Sequence, residues 1–65
     1  MKIIKTFENS ERLVKLLYNE FDKKYTVILL TRDRKCKDEI YKSLYWAERK
    51  FNDYKSYPLK EMGVK

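Results

Sequence analysis

The segment Tyr25-Thr26-Val27-Ile28-Leu29-Leu30-Thr31 constrains the fold more than any other part of the chain. It is a short apolar run, rich in β-branched residues and bounded by charged ones, and that pattern predicts a strand over residues 25 to 31. Alternation sends Val27 and Leu29 to one side and Ile28 and Leu30 to the other, so both faces are apolar. Such a strand is normally covered on both sides. In a chain of 65 residues little else is available to cover it.

A domain this small buries only about 60% of the surface its unfolded chain exposes. It usually needs a staple, a metal or a partner subunit. The single cysteine, Cys36, rules out an internal disulfide, and without histidine one thiol cannot build a tetrahedral zinc site. Self-association or partner binding is the support that remains. The double-faced strand therefore argues for an interface as well as for a fold.

The rest of the chain reads as strand, helix, strand, helix and tail. Residues 2 to 7 alternate as a short strand, with Ile3, Lys5 and Phe7 on one side and Ile4 and Thr6 on the other. Asn9 and Ser10 are good N-caps and Glu11 suits the positive end of a helix. From Ser10 to Lys23, Leu13, Leu16, Leu17 and Phe21 follow helical spacing, with Val14 and Tyr18 beside them and Arg12, Lys15, Asn19 and Asp22 largely opposite. A right-handed crossover places that helix on one face of the sheet.

Thr31 to Lys37 is a basic junction in which Thr31 or Asp33 is placed to cap a second helix. From Asp38 to Ser56 the residues Ile40, Leu44, Ala47, Phe51 and Tyr54 form a sustained apolar stripe at heptad-like intervals. The stripe suits docking on the sheet or a short antiparallel seam with a partner helix. Pro58 stops the helix soon afterwards. The predicted fold is thus α/β, or α+β: one βαβα domain over residues 1–57, with a two-stranded sheet, two helices and a long amphipathic C-terminal helix. Residues 58–65 form a tail in which Leu59, Met62 or Val64 can tuck back or supply a small third strand.

Catalytic chemistry is poorly provided for. With no histidine, Ser-His and Cys-His nucleophiles lack their base. The one glycine, Gly63, is near the end, so no phosphate-cradling loop can form. Cys36 lies between Lys35 and Lys37, which favours a thiolate, but the stronger reading is an ordinary semi-buried cysteine. Asp33, Asp38 and Glu39 beside Arg32, Arg34 and Lys35 are the one candidate for Mg²⁺-dependent hydrolysis, a remote nuclease reading against that of a solvated turn. No enzyme activity, cofactor, metal or small-molecule substrate is expected.

Surface chemistry is better provided for. Sixteen basic residues against ten acidic give a net charge of +6. Arg32, Arg34, Lys35 and Lys37 crowd one junction, suited either to phosphates or to water. Lys42, Trp46, Arg49 and Lys50 share a face of the second helix, with Tyr45 and Tyr41 beside the stripe. Trp, Tyr and Arg are the usual anchors of interfaces, and can also stack on unpaired bases; alternatively Trp46 only covers the edge of the core. Partner-binding candidates are therefore Arg32, Arg34, Lys35, Lys42, Tyr45, Trp46, Arg49 and Lys50.

The expected function is that of a small non-enzymatic protein-binding module, dimeric or partner-bound, that inhibits or regulates a larger machine; the alternative is a basic nucleic-acid-binding protein. The bias toward Lys, Ile, Tyr, Asn and Phe fits AT-rich coding and hence a phage or mobile-element accessory protein. The first residues do not resemble a signal peptide and the apolar run Val27 to Leu30 is too short to span a bilayer. Cytoplasmic localisation (host cytoplasm if viral) is the expectation.

Overall fold

The computed structural model describes residues 1–59. It is a four-stranded antiparallel meander followed by one helix: β1 (Lys2–Glu8), β2 (Arg12–Asn19), β3 (Lys24–Thr31), β4 (Cys36–Tyr41) and α1 (Leu44–Lys55). Strand order in the sheet equals chain order, each strand joined to the next by a hairpin. The α1 helix lies across one face, over β2 and β3.

This corrects the βαβα expectation in two places. Residues 10–23 are not a helix. In Leu13-Val14-Lys15-Leu16-Leu17-Tyr18 the apolar residues satisfy a period of 2 as well as one of 3.6, and a short dense run cannot separate the two. As a strand, β2 buries Arg12, Val14 and Leu16 on the helix side and leaves Leu13, Lys15 and Leu17 half-buried on the other. There is accordingly no crossover, because β2 and β3 pair antiparallel from Arg12↔Thr31 to Asn19↔Lys24. The second correction concerns the long C-terminal helix. Residues 36–41 pair with β3 instead, and the helix starts only after Ser43, whose backbone is extended. The apolar stripe from Ile40 to Tyr54 thus runs through both a strand and a helix: Ile40 is exposed on β4, whereas Ala47, Phe51 and Tyr54 are the buried helix residues.

Polar side chains build the turns. Asn9 Oδ1 accepts from the amides of Glu11 (2.8 Å) and Arg12 (3.0 Å), and Asn19 Oδ1 accepts from those of Phe21 (2.9 Å) and Asp22 (3.3 Å). A helix N-cap and an Asx turn use the same side-chain bond, which is how Asn9 imitates a helix start. Thr31 and Asp33 likewise cap no helix. Thr31 Oγ1 donates to Asp33 and accepts from the Lys35 amide (3.0 Å), closing the β3–β4 hairpin. With no glycine in these turns, the left-handed positions fall to Lys23 (φ 56°) and Arg34 (φ 68°).

The core is Val14, Leu16, Val27, Leu29, Ala47, Phe51 and Tyr54, with Phe7, Tyr25, Tyr41, Tyr57 and Leu59 packed around it. All the strand members of this core project from one face of the sheet. Val27 and Leu29 do oppose Ile28 and Leu30, as the alternation requires, but only the first pair is covered by the helix. Expectations for Met62, Val64 and a third strand in the tail lie outside the described residues. Among the described residues no helix is long and apolar enough to cross a membrane.

Candidate interaction surface

The helix places its aromatic and basic residues by the geometry that buries its core. Ala47, Phe51 and Tyr54 mark the inward line, so Tyr45 and Arg49 point outward and Trp46 and Lys50 lie on one flank. Tyr45 and Trp46 are 59% and 55% exposed. Their rings meet edge to face, with centroids 5.0 Å apart. Arg49, one turn on, lays its guanidinium 5.9 Å from the Tyr45 ring centre and 5.6 Å from that of Trp46, and its Nη1 donates to the Tyr45 hydroxyl at 3.3 Å. That hydroxyl is the main cause of a raised Arg49 pKa, on a guanidinium that is charged in any case. Two large rings and a cation thereby hold one another in place on an exposed helix face.

The other expected residues divide. Lys42 precedes the helix at the same end of the molecule, while Lys50 lies 5.5 Å over the ring of buried Tyr54 and is half-buried. Arg32, Arg34 and Lys35 form the β3–β4 turn. That turn follows Thr31, whereas the helix begins beyond Tyr41, which pairs with Tyr25. Lys42 and the start of α1 are separated from the turn by the length of β3, roughly 20 Å at about 3.4 Å per residue, and only the last turn of α1 returns to the turn's end of the sheet. The two groups do not form one patch around one end of the helix. All three turn cations are exposed, and Arg32 Nη1 donates to the Ser10 carbonyl (2.9 Å).

The carboxylates of the hydrolytic candidate are not gathered. Asp33 is engaged by Thr31, and the alternation of β4 sends Asp38 and Glu39 to opposite faces. No cluster of three or more potential metal-ligating side chains occurs among the described residues. Cys36 is exposed on edge strand β4, not at a helix N-terminus.

Two features escaped the sequence reading. Phe21, counted there as helix core, caps the β2–β3 turn at 97% exposure; the polar string Asn19-Glu20-Phe21-Asp22-Lys23 was the signal of a turn. Arg12, counted as an outward helix residue, is 8% exposed and joins the sheet to the helix. Compared with protein-family models, curated proteins and solved structures, the chain shows no match to any of them.

Proposed function

We propose that this chain is a non-catalytic protein-binding module that presents the outer face of α1 to a protein partner and so regulates a larger assembly. The observation that carries this reading is the exposed cluster of Tyr45, Trp46 and Arg49, ordered by ring–ring and cation–π contact. These residue types supply most of the energy at protein interfaces, through rigid rings that lose little freedom on binding. The surrounding charge, +6 overall, favours an acidic partner surface and fast association.

Capture from cells of the native host, with and without nuclease, tests this reading. A protein retained after nuclease by the wild-type chain, and lost with a folded Trp46→Ala, Arg49→Ala variant, supports it. Undiminished capture by that variant overturns the assignment to α1.

Binding to nucleic acid is the second reading, favoured by the exposed turn cations Arg34 and Lys35. Trp46 is the single tryptophan, so its fluorescence reports directly on bases stacked upon it. Titration with single-stranded and duplex oligonucleotides at two salt concentrations decides the matter. Affinity that falls with salt and with Arg34→Ala supports this reading; absence of binding at low salt removes it.

A further inference from the structure

The sheet has a second face, which α1 does not touch. In register across the strands it carries Thr6, Lys15, Ile28 and Asp38 in a central row; Glu8, Leu13, Leu30 and Cys36 in the row on one side; and Ile3, Leu17, Thr26 and Ile40 in the row on the other. Leu13, Leu17 and Ile28 are only half-buried, Leu30 is 39% exposed and Ile40 62%. No helix or strand among the described residues covers this face, and apolar residues occupy both of its central strands, a continuity that soluble monomers seldom leave open.

We infer that this face binds the same face of a second copy of the chain, about a two-fold axis running parallel to β3. The charge pattern selects the occupant and the axis. The central row reads positive at Lys15, neutral at Ile28 and negative at Asp38, one strand to either side of the axis. A two-fold along β3 reverses that order, so Lys15 of each copy lies opposite Asp38 of the other and Ile28 meets Ile28. The same operation puts Leu30 on Leu30, and Leu17 opposite Ile40. A two-fold across the strands would instead set Lys15 on Lys15 and Asp38 on Asp38, opposing like charges. The interface is isologous, as closed dimers require, and it packs two sheets face to face in the aligned manner of sandwiches.

Strand spacing and rise give a flat footprint of roughly 300 Å² per copy for the three strands that overlap, below the usual size of stable interfaces, so the dimer is weak and reversible. It does not depend on the helix surface, which stays outward in both copies.

Sedimentation velocity of the full chain from about 10 to about 500 µM tests the inference. The expected result is a concentration-dependent monomer–dimer equilibrium that Asp38→Lys weakens at least about tenfold, since two pairs turn repulsive at once. The double exchange Lys15→Asp, Asp38→Lys restores it. Ile28→Lys, placing two cations on the axis, abolishes it. A monomer throughout the range overturns the inference. So does a dimer indifferent to both Asp38→Lys and Ile28→Lys, which would locate association on a strand edge or on α1. Circular dichroism of each variant establishes that it is folded, and the exposed Asp38 exchange keeps the test decisive if Ile28→Lys is not.

Discussion

The guanidinium of Arg12, at the start of β2, donates through Nη1 to the carbonyl oxygen of Tyr54 at 2.9 Å, in the last turn of α1. The same nitrogen reaches the Tyr57 carbonyl at 2.7 Å. A helix end leaves carbonyls without partners and carries partial negative charge, so a buried cation satisfies both needs together. Glu11, 3.5 Å away, offsets the charge from the solvent side. Arg12 thus ties the sheet to the only helix among the described residues, at the end where the chain would otherwise fray.

Replacing Arg12 by Met keeps the apolar stem and removes both bonds. Charge-assisted bonds contribute about 1.5–3 kcal/mol each, so losing the two together is expected to cost about 3 kcal/mol or more. Arg12→Lys recovers part of it, because one ammonium cannot reproduce the guanidinium fork. Glu11→Ala, at an exposed partner, changes stability by less than about 1 kcal/mol. Urea unfolding of the three variants checks the ranking; an Arg12→Met protein as stable as the wild type would remove the capping role.

Tyr54 gives a prediction with a pH signature. Its side chain is fully buried, its hydroxyl has no hydrogen-bond partner among the described residues, and its pKa is pushed up to about 12, chiefly by burial and then by the nearby charge of Glu39. The unfolded chain releases this proton near the ordinary tyrosine value of about 10. The folded state therefore holds the proton more tightly. Its contribution is complete below pH 10 and is lost as pH rises from about 10 to about 12, a decline of order 3 kcal/mol. Tyr54→Phe deletes an unsatisfied hydroxyl, so at pH 7 it leaves stability unchanged or slightly raised. Above pH 10 the variant falls less steeply than the wild type, which unfolding curves at pH 8 and pH 11 measure by difference.

What the sequence disclosed and what it hid follow from the same physics. β1 and β3 were legible because their alternation or length admits no helix. β2 was not, because Leu13, Val14, Leu16 and Leu17 fill both faces of a strand and one face of a helix equally well, and Asn9 serves a turn or a cap alike. β4 was hidden because its one exposed aliphatic, Ile40, falls in phase with the helical stripe that follows Ser43. On the surface, the outward placement of Tyr45, Trp46 and Arg49 could be read from helix phase alone. The separation of Lys42 from Arg32, Arg34 and Lys35 could not, since it depends on whether residues 36–41 pair with β3.

The β3–β4 turn predicts a stabilising substitution. Arg34 occupies the left-handed region at φ 68°, a position that costs a residue bearing a Cβ about 1–2 kcal/mol relative to glycine. Its amide still donates to the Thr31 carbonyl at 3.1 Å, so the turn itself is sound. Arg34→Gly is expected to gain about 0.5–1 kcal/mol after allowing for glycine's greater freedom in the unfolded chain. Arg34→Ala removes the same charge without relieving the backbone and gains nothing. Thermal unfolding of the pair separates backbone relief from charge removal, and equal stability of the two variants would show that the backbone term is absent.

A final pair of substitutions distinguishes a β2 strand from a helix over residues 10–23. Both readings bury Leu16, so Leu16→Ala costs about 2–5 kcal/mol in either. They disagree about Phe21. On the inward line of a helix its truncation would cost about 3–5 kcal/mol. At the tip of the β2–β3 turn, with its ring in water and only its amide engaged by Asn19, Phe21→Ser is expected to change stability by no more than about 0.5 kcal/mol. Asn19→Ala, which strips the turn of the acceptor for two amides, is expected to cost about 1 kcal/mol or more. In a helix, Asn19→Ala would instead be neutral or stabilising, since Ala is the better helix former. Opposite signs for Asn19→Ala, and a difference of several kcal/mol for Phe21→Ser, make equilibrium unfolding of these two proteins sufficient to choose between the folds.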